Sequence, residues 1–130
     1  MELKWSEKYD TGVKKFDDQH KHLFSLTNKL FVAIDNGEGS GMLHDILNEL
    51  LAYTKTHFEE EEKAMREKRF PLLESHLMEH EKLREQVAKF MENLESGKVV
   101  LTGSVLGFLV DWLRDHIAKT DKKYGSYLLE

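Results

Sequence analysis

The sequence predicts an all-α fold: an up-down-up-down antiparallel four-helix bundle preceded by an N-terminal arm. Three observations predict it. Apolar residues recur at steps of three and four along four stretches of the 130-residue chain, the period of a helix with one buried face. Each stretch ends at a glycine-containing or proline-containing break. The breaks are short, so consecutive helices lie antiparallel and side by side. No strand-turn-strand pattern and no fixed-period repeat interrupts this reading.

The elements follow in order. Residues 1–16 lack regular periodicity and read as an arm, with Trp5, Tyr9, Val13 and Phe16 to bury and a bend at Gly12. Asp17 or Asp18 is the expected N-cap of the first helix, about 17–36. Its stripe runs Phe16, His20, Leu23, Phe24, Thr27, Leu30, Phe31, Ile34, and the glycine-rich loop Asn36 to Gly41 ends it. The second helix, about 42–67, has the stripe Leu43, Ile46, Leu47, Leu50, Tyr53 or Thr54, His57, Glu61, Met65, and must stop before Pro71. The third, about 71–95, takes Pro71 into its first turn and carries Leu73, His76, Leu77, His80, Leu83, Val87, Phe90, Met91 and Leu94 as far as Ser96-Gly97. The fourth, about 103–122, starts near Thr102 to Ser104 and carries Val105, Leu106, Leu109, Trp112, Leu113, His116, Ile117, Thr120 and Asp121. Together they make one domain, 1–130.

Composition narrows the function classes. A formal net charge of −5 argues against a sequence-independent nucleic-acid binder, which needs a basic face. No apolar run approaches the roughly 18 residues that cross a bilayer, so no membrane partner is expected. The start, MELKWSEKYD, has no apolar signal-peptide core, and a cytoplasmic protein is the expectation. The absence of cysteine excludes disulfides, thiolate zinc sites and cysteine-held iron–sulfur clusters.

The informative residues are polar ones in apolar places. His20, His57, Glu61, His76, His80, His116 and Asp121 lie on or beside the stripes, where leucine is expected, and every helix contributes. Residues four apart share a helix face, so His57 with Glu61, and His76 with His80, can each aim two ligands at one point. Each piece has an ordinary structural reading. A single stripe histidine is usually a hydrogen-bonded core residue, and the run Glu59 to Glu62 alone is usually a solvated face. Asp121 is compatible with the surface, because five residues on from His116 lies about 140° off its helix face. Taken jointly, five imidazoles and two carboxylates facing one core without partners would cost more than the whole stability of a small domain, about 5–15 kcal/mol. A metal centre compensates directly. Seven ligands are too many for one ion, so two are implied, and iron tolerates this mixture of imidazole and carboxylate. The HExxH zinc-protease motif is absent, since His80-Glu81 is followed by Lys82-Leu83-Arg84. His22 and His44 fall off the stripes and read as surface residues.

The segments DDQHKHLF around His20, HFEEEE from His57, HLMEH from His76 and WLRDHIAKTDKKY around His116 and Asp121 resemble the hemerythrin family, specifically its single-domain bacterial members. The resemblance covers nearly the whole chain and includes Trp5 ahead of a DxxH segment. It implies two iron ions in an oxo- or hydroxo-bridged di-iron centre. His76, His80 and His116 would hold one iron, His20 and His57 the other, and Glu61 and Asp121 would bridge them. The second iron is then one ligand short, and dioxygen is the expected ligand at its open position.

The expected function is therefore reversible dioxygen binding, for carriage or storage, rather than catalysis. Leu23, Phe24, Trp112, Leu113 and Ile117 lie within a turn of ligands and are expected to line a dry pocket. Gln19, Thr27, Tyr53 and Thr120 are possible orienting partners for the imidazoles, and Glu59, Glu60 and Glu62 are expected to face water. The alternatives are an oxygen or redox sensor acting on a separate, unidentified protein, a di-iron oxidase, peroxidase or nitric oxide reductase, and iron storage.

Overall fold

Asp17 starts the architecture from an unexpected place. In the structure, a computed structural model that describes residues 3–37, 40–96 and 103–128, helix α1 runs Lys14–Asp35, one turn earlier than the sequence suggested. Val13 holds the cap position with no side-chain bond. Asp17 instead reaches back from inside the helix, accepting the Thr11 N–H and hydroxyl at 2.9 and 2.7 Å and the Gly12 N–H at 3.2 Å. Gly12, at φ 90°, makes the left-handed bend that allows this. Asp18 is exposed and pairs with Lys14 instead.

Helix α2 runs Ser40–Glu67, α3 Leu73–Glu95 and α4 Gly103–Asp115. Helix α1 packs on α2 and α4, and α2 on α3, which gives the antiparallel four-helix bundle; no strand occurs among the described residues. The loop residues Glu38-Gly39, the Gly97 break and Thr102 lie outside the described residues, as do the side chains of Leu43, Leu94, Val105 and Leu106. No helix is long and apolar enough to cross a membrane, among the described residues.

The turn between α2 and α3 differs from the proline reading. Pro71 sits two residues ahead of α3, not in its first turn. Helix α2 closes with the Phe70 N–H on the Met65 carbonyl and the Arg69 N–H on the Arg66 carbonyl. That is the Schellman pattern, with Arg69 at φ 53° where glycine is usual. Phe70 and Met65 are buried in the same small cluster, the apolar contact that accompanies this cap.

The fourth helix does not continue as α-helix to residue 122. At His116–Thr120 it widens into a π turn, tightens to a 3₁₀ turn over Asp121–Tyr124, and ends in the short α5, Gly125–Leu128. The arm packs beneath this segment. Its Trp5, Tyr9 and the α1 residue Phe24 form a mutual aromatic cluster with centroids 5.0–5.4 Å apart. Asn28 on α1 holds Leu3 by both backbone groups.

Two apolar clusters result. The larger holds most of the stripe residues, including Leu23, Phe24, Leu30, Leu47, Leu83, Leu113 and Ile117, together with Phe58. The smaller holds Phe16, Met65, Phe70 and Tyr124. The polar stripe residues touch both. His80 stacks on Phe58 of the first, and His57 and His76 meet Phe16 and Tyr124 of the second.

Candidate metal centre

All seven residues singled out by spacing are buried and meet at one place. Helix α1 brings His20, α2 brings His57 and Glu61, α3 brings His76 and His80, and the π turn brings His116 and Asp121. The two pairs spaced by four lie on inward helix faces, as the α-helical period requires. Asp121 arrives by another route. Its N–H bonds the His116 carbonyl, an i→i+5 closure, so the π turn sets residue 121 above residue 116 on one face. The 140° offset of a regular helix does not apply.

Every one of the five imidazoles turns its Nε2 inward. His20 Nε2 lies 3.1 Å from Glu61 Oε2 and 3.0 Å from Asp121 Oδ2. His57 Nε2 lies 3.2 Å from Glu61 Oε1, and His80 Nε2 lies 3.4 Å from the same oxygen. His76 and His116 place Nε2 at 2.8 and 2.9 Å from Asp121 Oδ1. The ligand atoms fall into two groups, each within 4.8 Å: Glu61, His76, His80, His116 and Asp121; and His20, His57, Glu61 and Asp121. The two carboxylates belong to both.

The other ring nitrogens fix the tautomers. His57 Nδ1–H donates to Gln19 Oε1, whose amide in turn donates to Glu60 at 2.7 Å. His80 Nδ1–H donates to Glu62 at 2.8 Å, and Arg84 donates to the same oxygen at 3.1 Å. His116 Nδ1–H donates to Glu79 at 3.0 Å, and the Thr120 hydroxyl also donates to Glu79. A proton held on Nδ1 leaves the Nε2 lone pair free to ligate. Tyr124, fully buried, donates its hydroxyl to Glu61 Oε2.

These contacts correct several expectations. Glu62 does not face water; it is 8 % exposed, buried between His80 and Arg84. Glu60 is half-buried between Gln19 and Lys15, and Glu59 is exposed. Gln19 orients His57 directly, and Thr120 acts on His116 only through Glu79. Thr27 bonds the Leu23 carbonyl of its own helix, and Tyr53 packs on His22 at 4.3 Å, so neither orients a site imidazole. His22 is exposed, and His44 pairs with Glu95 away from the centre. Glu79 and Tyr124 were not singled out from sequence, nor was Phe58, whose ring stacks on His80 at 3.6 Å. Of the five residues expected to line a pocket, Leu23, Phe24, Leu113 and Ile117 are buried in the larger apolar cluster, while Trp112 is half-buried and stacks on His116 at 4.2 Å.

Electrostatics show what the centre lacks. Burial opposes charge on His20, yet the Asp121 and Glu61 carboxylates beside its Nε2 raise its pKa to about 10. Burial likewise opposes charge on His116, and Asp121 and Glu79 raise its pKa to about 9. Burial also opposes the Glu61 and Asp121 carboxylates, but the surrounding histidines hold both well below the usual range. Burial and the nearby carboxylates push the Tyr124 phenol well up, so it stays a donor. The polar cluster is therefore tied together by shared protons, and incompletely. Among the described residues, Glu61 Oε1, both Asp121 oxygens and His76 Nε2 are buried without a hydrogen bond, and His80 and His116 set their Nε2 atoms 3.1 Å apart. Unpaired buried acceptors are costly, and a cation among these atoms would satisfy them. The ligand-atom spacings fit one. They lie around 3 Å, which is about the edge of an octahedron whose bonds are about 2.1 Å long.

Comparison with known proteins agrees with this geometry. The family model described as "Hemerythrin HHE cation binding domain" matches residues 11–128. A bacteriohemerythrin of Methylococcus capsulatus is 34 % identical over 120 residues, 92 % of this chain and 91 % of that protein. Another, of Campylobacter jejuni, is 30 % identical over 114 residues, 88 % of this chain and 86 % of that protein. A crystal structure of a wild-type hemerythrin superposes with a TM-score of 0.94 at 32 % identity, covering 98 % of both chains. With the match spanning all four helices and every residue of the buried cluster, the chain belongs to the hemerythrin family.

Proposed function

We propose that this protein binds dioxygen reversibly, as a carrier or store, at a non-haem di-iron centre. One observation carries the reading: two buried ligand groups share the same two carboxylates, Glu61 and Asp121. His76, His80 and His116 would hold one iron and His20 and His57 the other, with Glu61 and Asp121 shared between them. When bound, the irons would supply the electrons that dioxygen binding needs.

The chain's own residues do the rest. The Nδ1 acceptors Gln19, Glu62 and Glu79 keep three imidazoles in the ligating tautomer. Tyr124 holds Glu61 Oε2 in place. Phe58 and Trp112 cover the faces of His80 and His116, and Leu23, Phe24, Leu113 and Ile117 are buried in the same apolar cluster as Phe58. A dry surround keeps bulk protons from the buried cluster, which favours reversible binding. On this reading residues 1–130 act as one domain in the cytoplasm.

The test is the visible spectrum of iron-loaded protein, reduced under argon, exposed to air, then purged with argon. A near-colourless reduced form that gains absorption in air and loses it on purging supports a carrier. Absorption that appears and never reverses would favour an oxidase or a redox sensor. Iron uptake far above two per chain would favour storage.

A further inference from the structure

The five imidazoles are not backed alike. His80 and His116 each donate Nδ1–H to a carboxylate, Glu62 at 2.8 Å and Glu79 at 3.0 Å. His57 donates to a neutral amide, Gln19, and, among the described residues, His20 Nδ1 and His76 Nδ1 have no hydrogen-bond partner. Both carboxylate-backed rings fall in the group with His76, and neither in the group of His20 and His57. Ring stacking divides the same way. His76, His80 and His116 lie face to face with Tyr124, Phe58 and Trp112, at interplanar angles of 20°, 2° and 15°. His57 meets Phe16 edge-on, at 80°.

A carboxylate behind an imidazole pulls the Nδ1 proton toward itself and makes Nε2 a stronger electron donor. Stronger donation favours a cation, and favours its higher oxidation state more. Stacked rings are also held ready, so less ordering is needed when the ion arrives.

We propose that Glu62 and Glu79 are positioning and tuning residues that make the two halves of the centre unequal: the half of His76, His80 and His116 takes its ion first and holds ferric iron at the lower potential, while the half of His20 and His57 is filled last and reduced first. This rests on the di-iron reading above. Arg84 tempers the effect at Glu62 by sharing its oxygen, whereas the further hydrogen bond to Glu79 comes from the uncharged Thr120 hydroxyl. Glu79 is the stronger lever.

Glutamine is the informative replacement. Glu62→Gln and Glu79→Gln keep an oxygen that accepts from Nδ1 and remove only the charge. The converse is the double swap Gln19→Glu with Glu60→Gln, which preserves the bond between residues 19 and 60 while placing a carboxylate behind His57.

The experiment titrates ferrous iron into metal-free protein under argon, with calorimetric and total-iron readouts, then measures the two one-electron potentials of the loaded protein. The wild type is expected to take two irons in two unequal steps. Glu79→Gln should weaken the tighter step about tenfold and leave the weaker step alone. It should raise the lower potential, and a tenfold change in the ferric-to-ferrous preference corresponds to about 59 mV for one electron. Glu62→Gln should act in the same sense, less strongly. The double swap should lower the upper potential. Glutamine variants that leave both potentials unchanged, or that move the upper one, overturn the proposal while the di-iron reading stands. A wild-type protein that takes up no pair of irons overturns both.

Discussion

His116 and His22 mark the two extremes for a histidine in this chain. His116 is buried, with Nε2 on Asp121 and Nδ1 on Glu79; His22 is exposed and rests on Tyr53. His116→Ala removes an imidazole from the larger candidate ligand group, and metal retention after desalting is expected to fall by tenfold or more, about the size of such losses at ligand-supporting positions. His22→Ala should retain the wild-type amount. Total-metal analysis of both variants decides the matter, and equal contents would sink the ligand assignment. The same contrast explains what could be read at this scale. His116 sat on an apolar stripe and His22 did not, so helical spacing separated them. The residues that support the ligands carried no such mark. Glu62 follows Glu61 in an acidic run, and only the lateral offset of α2 against α3 carries it to His80 and Arg84. Glu79 lies beside the stripe, half-buried, and is recruited by a helix that arrives 37 residues later. Tyr124 lies in a tail with no periodicity to read. An apolar stripe reports which face a helix buries, not which polar rim meets a neighbour.

At the scale of elements, the helices themselves were legible because each buries one face. Their irregular ends were not. The end of the fourth helix shows why, since a π turn leaves no mark in a pattern of apolar residues, yet this one places Asp121 in the centre. Position 125 keeps that segment against the arm. A Cβ on Gly125 would lie 2.1 Å from the Thr11 carbonyl oxygen, a backbone atom that cannot swing aside. Thr11 is itself pinned by Asp17, and Tyr124, next to the glycine, reaches Glu61. Gly125→Ala must therefore push the 3₁₀ turn away from the arm. The expected cost is about 1–3 kcal/mol, in the range of overpacked interiors. Urea unfolding of the metal-free protein measures it, and an unchanged midpoint would mean that the arm is not fixed where it lies. The start of α1 escaped sequence reading for a related reason: Asp17 satisfies the arm from inside the helix, so the usual cap signal sits a turn too late.

For the whole molecule, the buried centre sets how stability depends on pH. In the metal-free protein, protonated His20 and His116 compensate Glu61 and Asp121. Their folded-state pKa values, about 10 and about 9, lie above the ordinary 6.5. Raised values mean that the folded state holds protons the unfolded chain releases. The stabilisation is thus complete below about pH 6.5 and is lost as pH climbs through 9 to 10. Bound metal replaces those protons, because only the neutral imidazole ligates. The loaded protein carries no proton at these rings to lose, so its stability should not decline over the same interval on their account. The two forms should therefore diverge as pH rises. Metal uptake, which must displace the protons, should tighten in the same direction, and tighter binding to the folded state alone raises apparent stability further. The measurement is the difference in Tm between loaded and metal-free protein at pH 7 and at pH 9.5, with loading completed beforehand at pH 7. The difference is expected to be larger at the higher pH. A difference that stays constant or shrinks would show that His20 and His116 do not carry the charge of the empty centre, and that its carboxylates are compensated in some other way.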